Sequence, residues 1–297
     1  MTSAAGNSAA AEQSSASWTV LSLLKWTTDH FASKGIEAAR LDAECLLAHA
    51  LGTQRLQLYV EFEKPVSEAE RARFRELVKR RATDRVPVAH LLGTKEFWSL
   101  DFEVGPDVLT PRPETETLVQ AGLDRLPAGD AKVLDLCTGS GCVALAIASE
   151  RPEVAVTATD VSEAALAVAA RNAEALGVSA RVRLAHGSLF APVGEERFDL
   201  IVANPPYLAE TLRSELAPEL GYEPDEALFA GPDGLDVLRE LVAGVGDHLT
   251  PGGGFAVELS PEQAPAVAGW CGEAGLLDVT VQRDLAERPR VVAARGG

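Results

Sequence analysis

The sequence predicts an α/β protein, a doubly wound and mostly parallel sheet preceded by a small bundle of helices. Three observations carry this. From residue 132 onward, short apolar segments rich in branched residues alternate with longer segments of helical period. Residues 18–85 hold helical patterns joined by short links. The first apolar segment runs directly into a glycine turn and then a helix, "VLDLCTGSGCVA" (133–144), the order that opens such sheets.

The elements follow in order. "MTSAAGNSAAAEQSSAS" (1–17) is small and polar, with neither the basic nor the apolar region of a signal peptide, and reads as a disordered tail. "WTVLSLLKWTTDHF" (18–31) spaces its apolar residues at three and four and stops near Gly35. "EAARLDAECLLAHALG" (37–52) repeats the pattern and stops at Gly52. A short apolar segment with Leu56, Leu58 and Tyr59 follows. "SEAERARFRELVKRRATD" (67–84) opens with Ser67 and Glu70 at capping-box spacing. Its basic end, Lys79, Arg80 and Arg81, reads as a solvated helix terminus favoured by the dipole. "KEFWSLDFEV" (95–104) suits a hairpin. In "TPRPETE" (110–116), two prolines bracket Arg112, and Pro113 suits the first turn of a helix carrying Leu118, Val119 and Leu123.

Strands are then expected at "KVLDL", "VAVTATD", "RVRLA", "FDLIVAN" and "GGFAVEL". Helices are expected at "CVALAIASE", "SEAALAVAARNAEALG", "GLDVLRELVAGVGDHL" and "PEQAPAVAGWCGEAG". "LDVTVQR" (277–283) and "RVVAA" (290–294) lie close together and suit an antiparallel edge. The expected organisation is a tail (1–17), a helical domain (18–85), a β-hairpin linker (86–112) and the α/β domain (113–297).

Composition narrows the function. With 46% hydrophobic and 24% charged residues and no run of eighteen apolar residues, the chain reads as a soluble globular protein. Cys45, Cys137, Cys142 and Cys271 make no CxxC pair and no metal-ligand spacing, so reduced thiols in the cytoplasm and no metal are expected. The net charge of −17 is unevenly spread: residues 1–90 carry 12 Lys and Arg against 11 Asp and Glu, the remainder 15 against 33. Solubility explains the magnitude. The sign still weighs against a nucleic-acid substrate for the second part, which would have to attract a polyanion.

In "VLDLCTGSGCVA", Gly139 and Gly141 let the backbone pass close to a ligand, and the following helix offers free N–H groups. Asp160 ends the next strand, 19 residues past Gly141, where its carboxylate can accept from both hydroxyls of a ribose. These features suit NAD as well as S-adenosylmethionine. "ANPPYLA" (203–209) separates the two. Prolines cannot continue a parallel ladder, so "FDLIV" must stop there. In a doubly wound sheet this strand neighbours the first one, and the elbow faces the ligand. The Asn204 side-chain oxygen and the Pro205 carbonyl are two acceptors held side by side, suited to an NH2 group. Tyr207 offers a flat face to a planar amide or base. Such an elbow positions a planar NH2 against an electrophilic methyl, which hydride transfer does not require.

"NPPY" after such a loop resembles the Rossmann-like class I amino-methyltransferases. "FEVGPDVLTPRPETETLV" (102–119) resembles the signature of the HemK/PrmC family, the peptide chain release factor glutamine N5-methyltransferases. "EPDEALFAGPDGLDVLRELV" (223–242), Glu258 with Gln263, and "RDLAERPRVV" (283–292) extend the resemblance over roughly residues 18–295. It implies a class I methyltransferase sheet and methylation of the Gln in the Gly-Gly-Gln loop of class I release factors, modulating translation termination. By position, S-adenosyl-L-methionine would meet Cys137, Thr138, Gly139, Ser140, Gly141, Asp160, Leu189 and Asn204. The substrate Gln would lie on Asn204, Pro205, Pro206 and Tyr207, with Asn204, Pro205 and Tyr207 catalytic. The helical domain would hold the release factor, and His90 and His186 would be structural. The chain departs from the family pattern at Cys137, in place of a loop glycine, at Ser188, in place of an Asp, and at "ELS" (258–260), in place of Glu-His-Gly. The alternatives are an N6-adenine DNA methyltransferase, a paralogue methylating another protein, a binding module without chemistry and an NAD enzyme. A monomer without stable nucleic-acid or membrane binding is expected.

Overall fold

The computed structural model describes residues 18–297. The tail expected over 1–17 lies outside the described residues. The chain forms two compact units, divided between Leu91 and Leu92.

The first unit is helical: α1 (Val20–Ser33), α2 (Ala39–Leu51), α3 (Arg55–Val60) and α4 (Glu68–Ala82) are followed by the short α5 (Val88–Leu92). Ser67 and Glu70 make the expected capping box at α4, with Ser67 N–H donating to Glu70 Oε2 at 2.8 Å. Gly52 ends α2 at φ +63°, a left-handed cap that glycine adopts without strain. The apolar faces meet in a core that buries Leu24, Phe31, Leu46, Leu47, Leu58 and Phe74. One expectation is corrected here. The basic end of α4 is not wholly solvated: Arg81 is buried, and its Nε donates to Asp42 Oδ2 on α2 at 2.8 Å. Arg85, at φ +61°, donates to the Lys34 carbonyl at 3.1 Å. Arg81 and Arg85 are therefore both engaged within the unit.

The second unit opens with the hairpin β1 (Thr94–Phe97) and β2 (Leu100–Glu103). Its turn residues Trp98 and Ser99 both have positive φ, +53° and +58°, the twist a two-residue hairpin loop needs. A 3-10 turn at Pro113–Thr115 then leads into α6 (Glu116–Leu123). The sheet follows with its helices: β3 (Lys132–Leu136), α7 (Cys142–Glu150), β4 (Ala155–Asp160), α8 (Glu163–Ala175), β5 (Val182–His186), β6 (Phe198–Ala203), α9 (Asp236–His248), β7 (Leu249–Glu258), α10 (Ala264–Glu273), β8 (Leu277–Arg283) and β9 (Pro289–Arg295).

The strand order is β5-β4-β3-β6-β7-β9-β8. β5 through β7 are parallel; β9 runs against both β7 and β8, so the reversal falls one strand in from the edge. The winding reverses between β3 and β6, which pair from Val133 with Leu200 to Leu136 with Ala203. In a doubly wound sheet the crevice beyond the strand ends at that point receives ligands. The central strands are apolar on both faces because helices cover both. The loop from 204 to 235, which showed no periodicity in the sequence, folds into three 3-10 turns.

The Arg81–Asp42 pair joins α4 to α2, with both side chains about nine-tenths buried. Removing one partner of a buried pair leaves the other charge uncompensated. Asp42→Ala is expected to destabilise the helical unit by about 3 kcal/mol. Chemical denaturation followed by circular dichroism checks this, and an unchanged midpoint contradicts it.

Candidate active site

Beyond Leu136 the chain turns back through Cys137, Gly139 and Gly141, at φ +57°, +54° and +82°. The geometry explains why glycine is the unstrained choice at position 137, since a residue with a Cβ in this region costs about 1–2 kcal/mol. Thr138 N–H donates to the Thr159 carbonyl at 3.0 Å, tying the loop to the end of β4. A Cβ on Gly139 would meet nothing within 4 Å, so the backbone there is open to a ligand. A Cβ on Gly141 would press on Leu145 Cδ1 and Ala169 Cβ at 3.1 and 3.2 Å. Gly141 thus serves close helix packing and does not line the cavity.

Asp160 stands at the end of β4. Its Oδ2 accepts from Gly139 N–H at 2.8 Å and its Oδ1 from Ser162 N–H at 2.9 Å. Burial raises its pKa, against these hydrogen bonds. The carboxylate therefore shapes the glycine loop and also faces the cavity. Asp135 was missed in the sequence, though a carboxylate inside the apolar "KVLDL" was a signal. It is buried under the loop, accepts from Thr138 Oγ1 at 2.6 Å and Ala144 N–H at 3.2 Å, and is pushed up to about 7 by burial. Leu189 is buried at φ +43°, and with Gly187 and Ser188 it forms the neighbouring wall. His186, at the end of β5, does not line the cavity; its Nε2 lies 2.9 Å from the Val161 carbonyl oxygen.

The elbow begins one residue past Ala203, the partner of Leu136. Asn204 and Pro206 line the cavity together with Cys137, Thr138, Gly139, Ser140, Asp160 and Leu189. Pro205 is buried behind them. Asn204 Nδ2 donates to Thr115 Oγ1 at 3.4 Å, and its buried Oδ1 has no partner among the described residues. Tyr207 does not line the cavity. Its ring packs against the core of the central strands, and its hydroxyl donates to Glu258 Oε1 at 3.4 Å. Burial pushes that phenol well above its usual range.

Several groups hold the elbow. Gln263 Nε2 donates to the carbonyls of Tyr207 and Gly234, at 2.9 and 3.1 Å. A Cβ on Gly234 would sit 2.4 Å from the Tyr207 carbonyl oxygen, so only glycine fits against the chain there. Across the cavity, the loop before α6 is clamped by Glu223, which accepts from Thr110 N–H at 3.2 Å and from Arg112 Nη2 at 2.6 Å. Glu223 is itself buried. These clamps join segments far apart in the chain, and so were not legible as spacing.

A glycine loop under a strand-end carboxylate, facing an elbow with an unpartnered amide oxygen, defines a Rossmann-like class I methyltransferase. The solved structure of a methyltransferase from Pyrococcus furiosus shares the fold, with a TM-score of 0.52 and 24% identity over 68% of this chain and 92% of that one. Residues 22–93 match the family described as PrmC N-terminal domain, and residues 115–231 match the methyltransferase small domain. The release factor glutamine methyltransferase of Geobacter sulfurreducens is 47% identical over 94% of this chain and 98% of its own length. That of Rhodopirellula baltica is 42% identical over 93% and 96%. The chain belongs to the release factor glutamine methyltransferase family. Enzymes of this family depend on S-adenosyl-L-methionine.

The open backbone at Gly139 leaves room for that cofactor, and the carboxylate of Asp160, which faces the cavity, fits its hydroxyl donors. A hydrogen bond from a cofactor hydroxyl to Asp160 would be worth about 1.5–3 kcal/mol. Asp160→Ala also unties Gly139, so it is expected to weaken S-adenosylmethionine binding by at least about tenfold. Isothermal titration checks this; unchanged affinity contradicts it.

Proposed function

We propose that this protein transfers a methyl group from S-adenosyl-L-methionine to the side-chain amide nitrogen of the Gln in the Gly-Gly-Gln loop of class I peptide chain release factors. It acts as a monomer in the cytoplasm and modulates translation termination. The helical domain holds the release factor while the α/β domain receives its loop. Flanking glycines suit this, since they let a backbone thread into a narrow site.

The observation that carries the reading is the buried Asn204 Oδ1, an acceptor without a partner among the described residues. Buried acceptors are rarely left so, and a substrate NH2 supplies the missing donor. An amide nitrogen is a poor nucleophile because its lone pair is delocalised into the carbonyl. The bound cofactor would supply an electrophilic methyl and leave as the neutral thioether, and the methylated nitrogen would lose one of its two protons to solvent to give the neutral amide. Asn204 Oδ1 and the Pro205 carbonyl take both N–H groups, fix the nitrogen in line and favour the positive charge that builds there. Tyr207 does not line the cavity; packed against the core and tied through its hydroxyl to Glu258, it stiffens the elbow behind Asn204. No residue acts as nucleophile, and no histidine is needed.

An N6-adenine DNA substrate offers the same planar NH2. The charge balance separates the two: beyond residue 90 there are 33 acidic residues against 15 basic ones. A polyanion gains nothing from such a surface. Among the described residues, no helix is long and apolar enough to cross a membrane.

Radiolabelled methyl transfer to full-length release factor, to its Gln→Ala variant and to duplex DNA tests the reading. Label on the first alone is expected; label on DNA, or equal label on the Gln→Ala variant, contradicts it. Asn204→Ala is expected to lower kcat by about 10²–10³, the cost of one transition-state hydrogen bond. Cofactor affinity should fall less. A variant that keeps half the wild-type rate rules out the role given to Asn204.

A further inference from the structure

Methyl transfer turns a sulfonium into a neutral thioether. S-adenosylmethionine carries a sulfonium, an ammonium and a carboxylate, one net positive charge. S-adenosylhomocysteine has lost the sulfonium charge and is net neutral. The adenosine and the amino-acid end are the same in both, so a contact such as that of Asp160 with a ribose hydroxyl holds the product as well as the donor. Only the methyl and its charge differ. We propose that the acidic lining of the cavity, through Glu226 and Glu240 above all, tells S-adenosylmethionine from S-adenosylhomocysteine by charge and lets the spent cofactor leave. This selection is independent of which amide receives the methyl.

Among the described residues, five acidic side chains line the cavity, Asp107, Asp135, Asp160, Glu226 and Glu240, against one basic side chain, Arg112. Acids outnumber bases there more steeply than beyond residue 90 as a whole, where the count is 33 to 15. Arg112 does not offset them, because its Nη2 already donates to the buried Glu223 at 2.6 Å. Asp135, pushed up to about 7 by burial, carries only part of a charge near neutral pH. Asp160 accepts from the Gly139 and Ser162 N–H groups. Glu226, in the 3-10 turn Asp225–Ala227, and Glu240, on α9, differ from these. Both are exposed, and neither has an ion pair or hydrogen bond among the described residues. Burial raises the Asp160 pKa, and the charge of Glu226 adds to the rise, so its field reaches the carboxylate that faces the ligand.

Like charges gathered round one cavity repel each other, and neither Glu226 nor Glu240 ties one segment to another through its side chain. A cation in the cavity relieves that repulsion, and a neutral ligand does not. A unit charge about 7 Å from another in a water-like medium is worth a factor of about two to three. Two such carboxylates together favour the cationic cofactor by about fivefold. The Debye length shrinks from about 30 Å at 0.01 M salt to about 3 Å at 1 M, so high salt erases the preference. Short hydrogen bonds to the shared adenosine are screened far less, and they hold both ligands alike.

Isothermal titration of the full-length protein tests this without any methyl acceptor. The probes are S-adenosylmethionine, S-adenosylhomocysteine and sinefungin, which carries an ammonium where the donor carries its methyl sulfonium. Between about 0.01 M and 1 M salt, wild-type affinity for the two cationic probes should fall about fivefold, and that for S-adenosylhomocysteine less than about twofold. At low salt, Glu226→Gln with Glu240→Gln should weaken both cations about fivefold and leave S-adenosylhomocysteine within about twofold. Glu273→Gln with Asp278→Asn removes two exposed acids at the link from α10 to β8, outside the cavity, and should change none of the three. Equal loss for all three ligands in the cavity variant, or no loss at all, overturns the proposal. The same selective loss in the control pair would assign the effect to net charge and overturn it too. Sinefungin that follows S-adenosylhomocysteine would show that the methyl is sensed and the charge is not. Thermal melting checks that the variants fold. Should the cavity variant not fold, the wild-type salt series decides: donor and product falling together contradicts the charge selection.

Discussion

Buried acceptors almost always have partners, and leaving one without costs about 1–3 kcal/mol. Asn204 Oδ1 is such an atom, and much of the second unit serves to hold it where it is. Two prolines stop β6 one residue beyond its pairing with β3, at the point where the winding reverses. Gln263 and Gly234 fix the chain behind the elbow, and Thr115 holds the amide from the other side. Without those constraints the amide would turn to the nearest donor. With them it keeps an unpartnered oxygen at the cavity wall, ready for a substrate that brings the donor.

The cofactor side follows the same logic with different parts. Asp160 binds the backbone of the glycine loop and still presents its carboxylate to the cavity. Cys137 takes a left-handed conformation that a glycine would adopt freely. The loop is held in place by hydrogen bonds to β4 and by the buried Asp135 beneath it. The backbone strain at Cys137 is thus balanced by a network that would otherwise lack its anchor.

The fold was legible because a covered parallel strand and an amphipathic helix have different periods, and the two alternate from Lys132 to the end of the chain. The site was legible where chemistry and backbone coincide: glycines at a strand end, an acid at the next, prolines at a third. Other features were not. Arg81 lies in a basic run that looks solvated, and only the approach of α2 buries it against Asp42. The antiparallel pairing of β8 with β9 was legible from their closeness in the chain, whereas the insertion of β9 between β7 and β8 was not. Single turns of 3-10 helix over 210–227 are too short to show a period. Thr115 lies far from Asn204 in the chain and meets it only through folding, so no spacing links the two.

The polarity of the elbow is the centre of this account. A crystal structure of the protein with S-adenosylhomocysteine and a release factor would test it most directly, at a resolution that shows the hydrogen-bond pattern. The account predicts the Gln side-chain nitrogen about 2.7–3.2 Å from Asn204 Oδ1, with Asn204 Nδ2 turned to Thr115. A Gln side chain lying away from the elbow, or one whose oxygen accepts from Asn204 Nδ2, would contradict it.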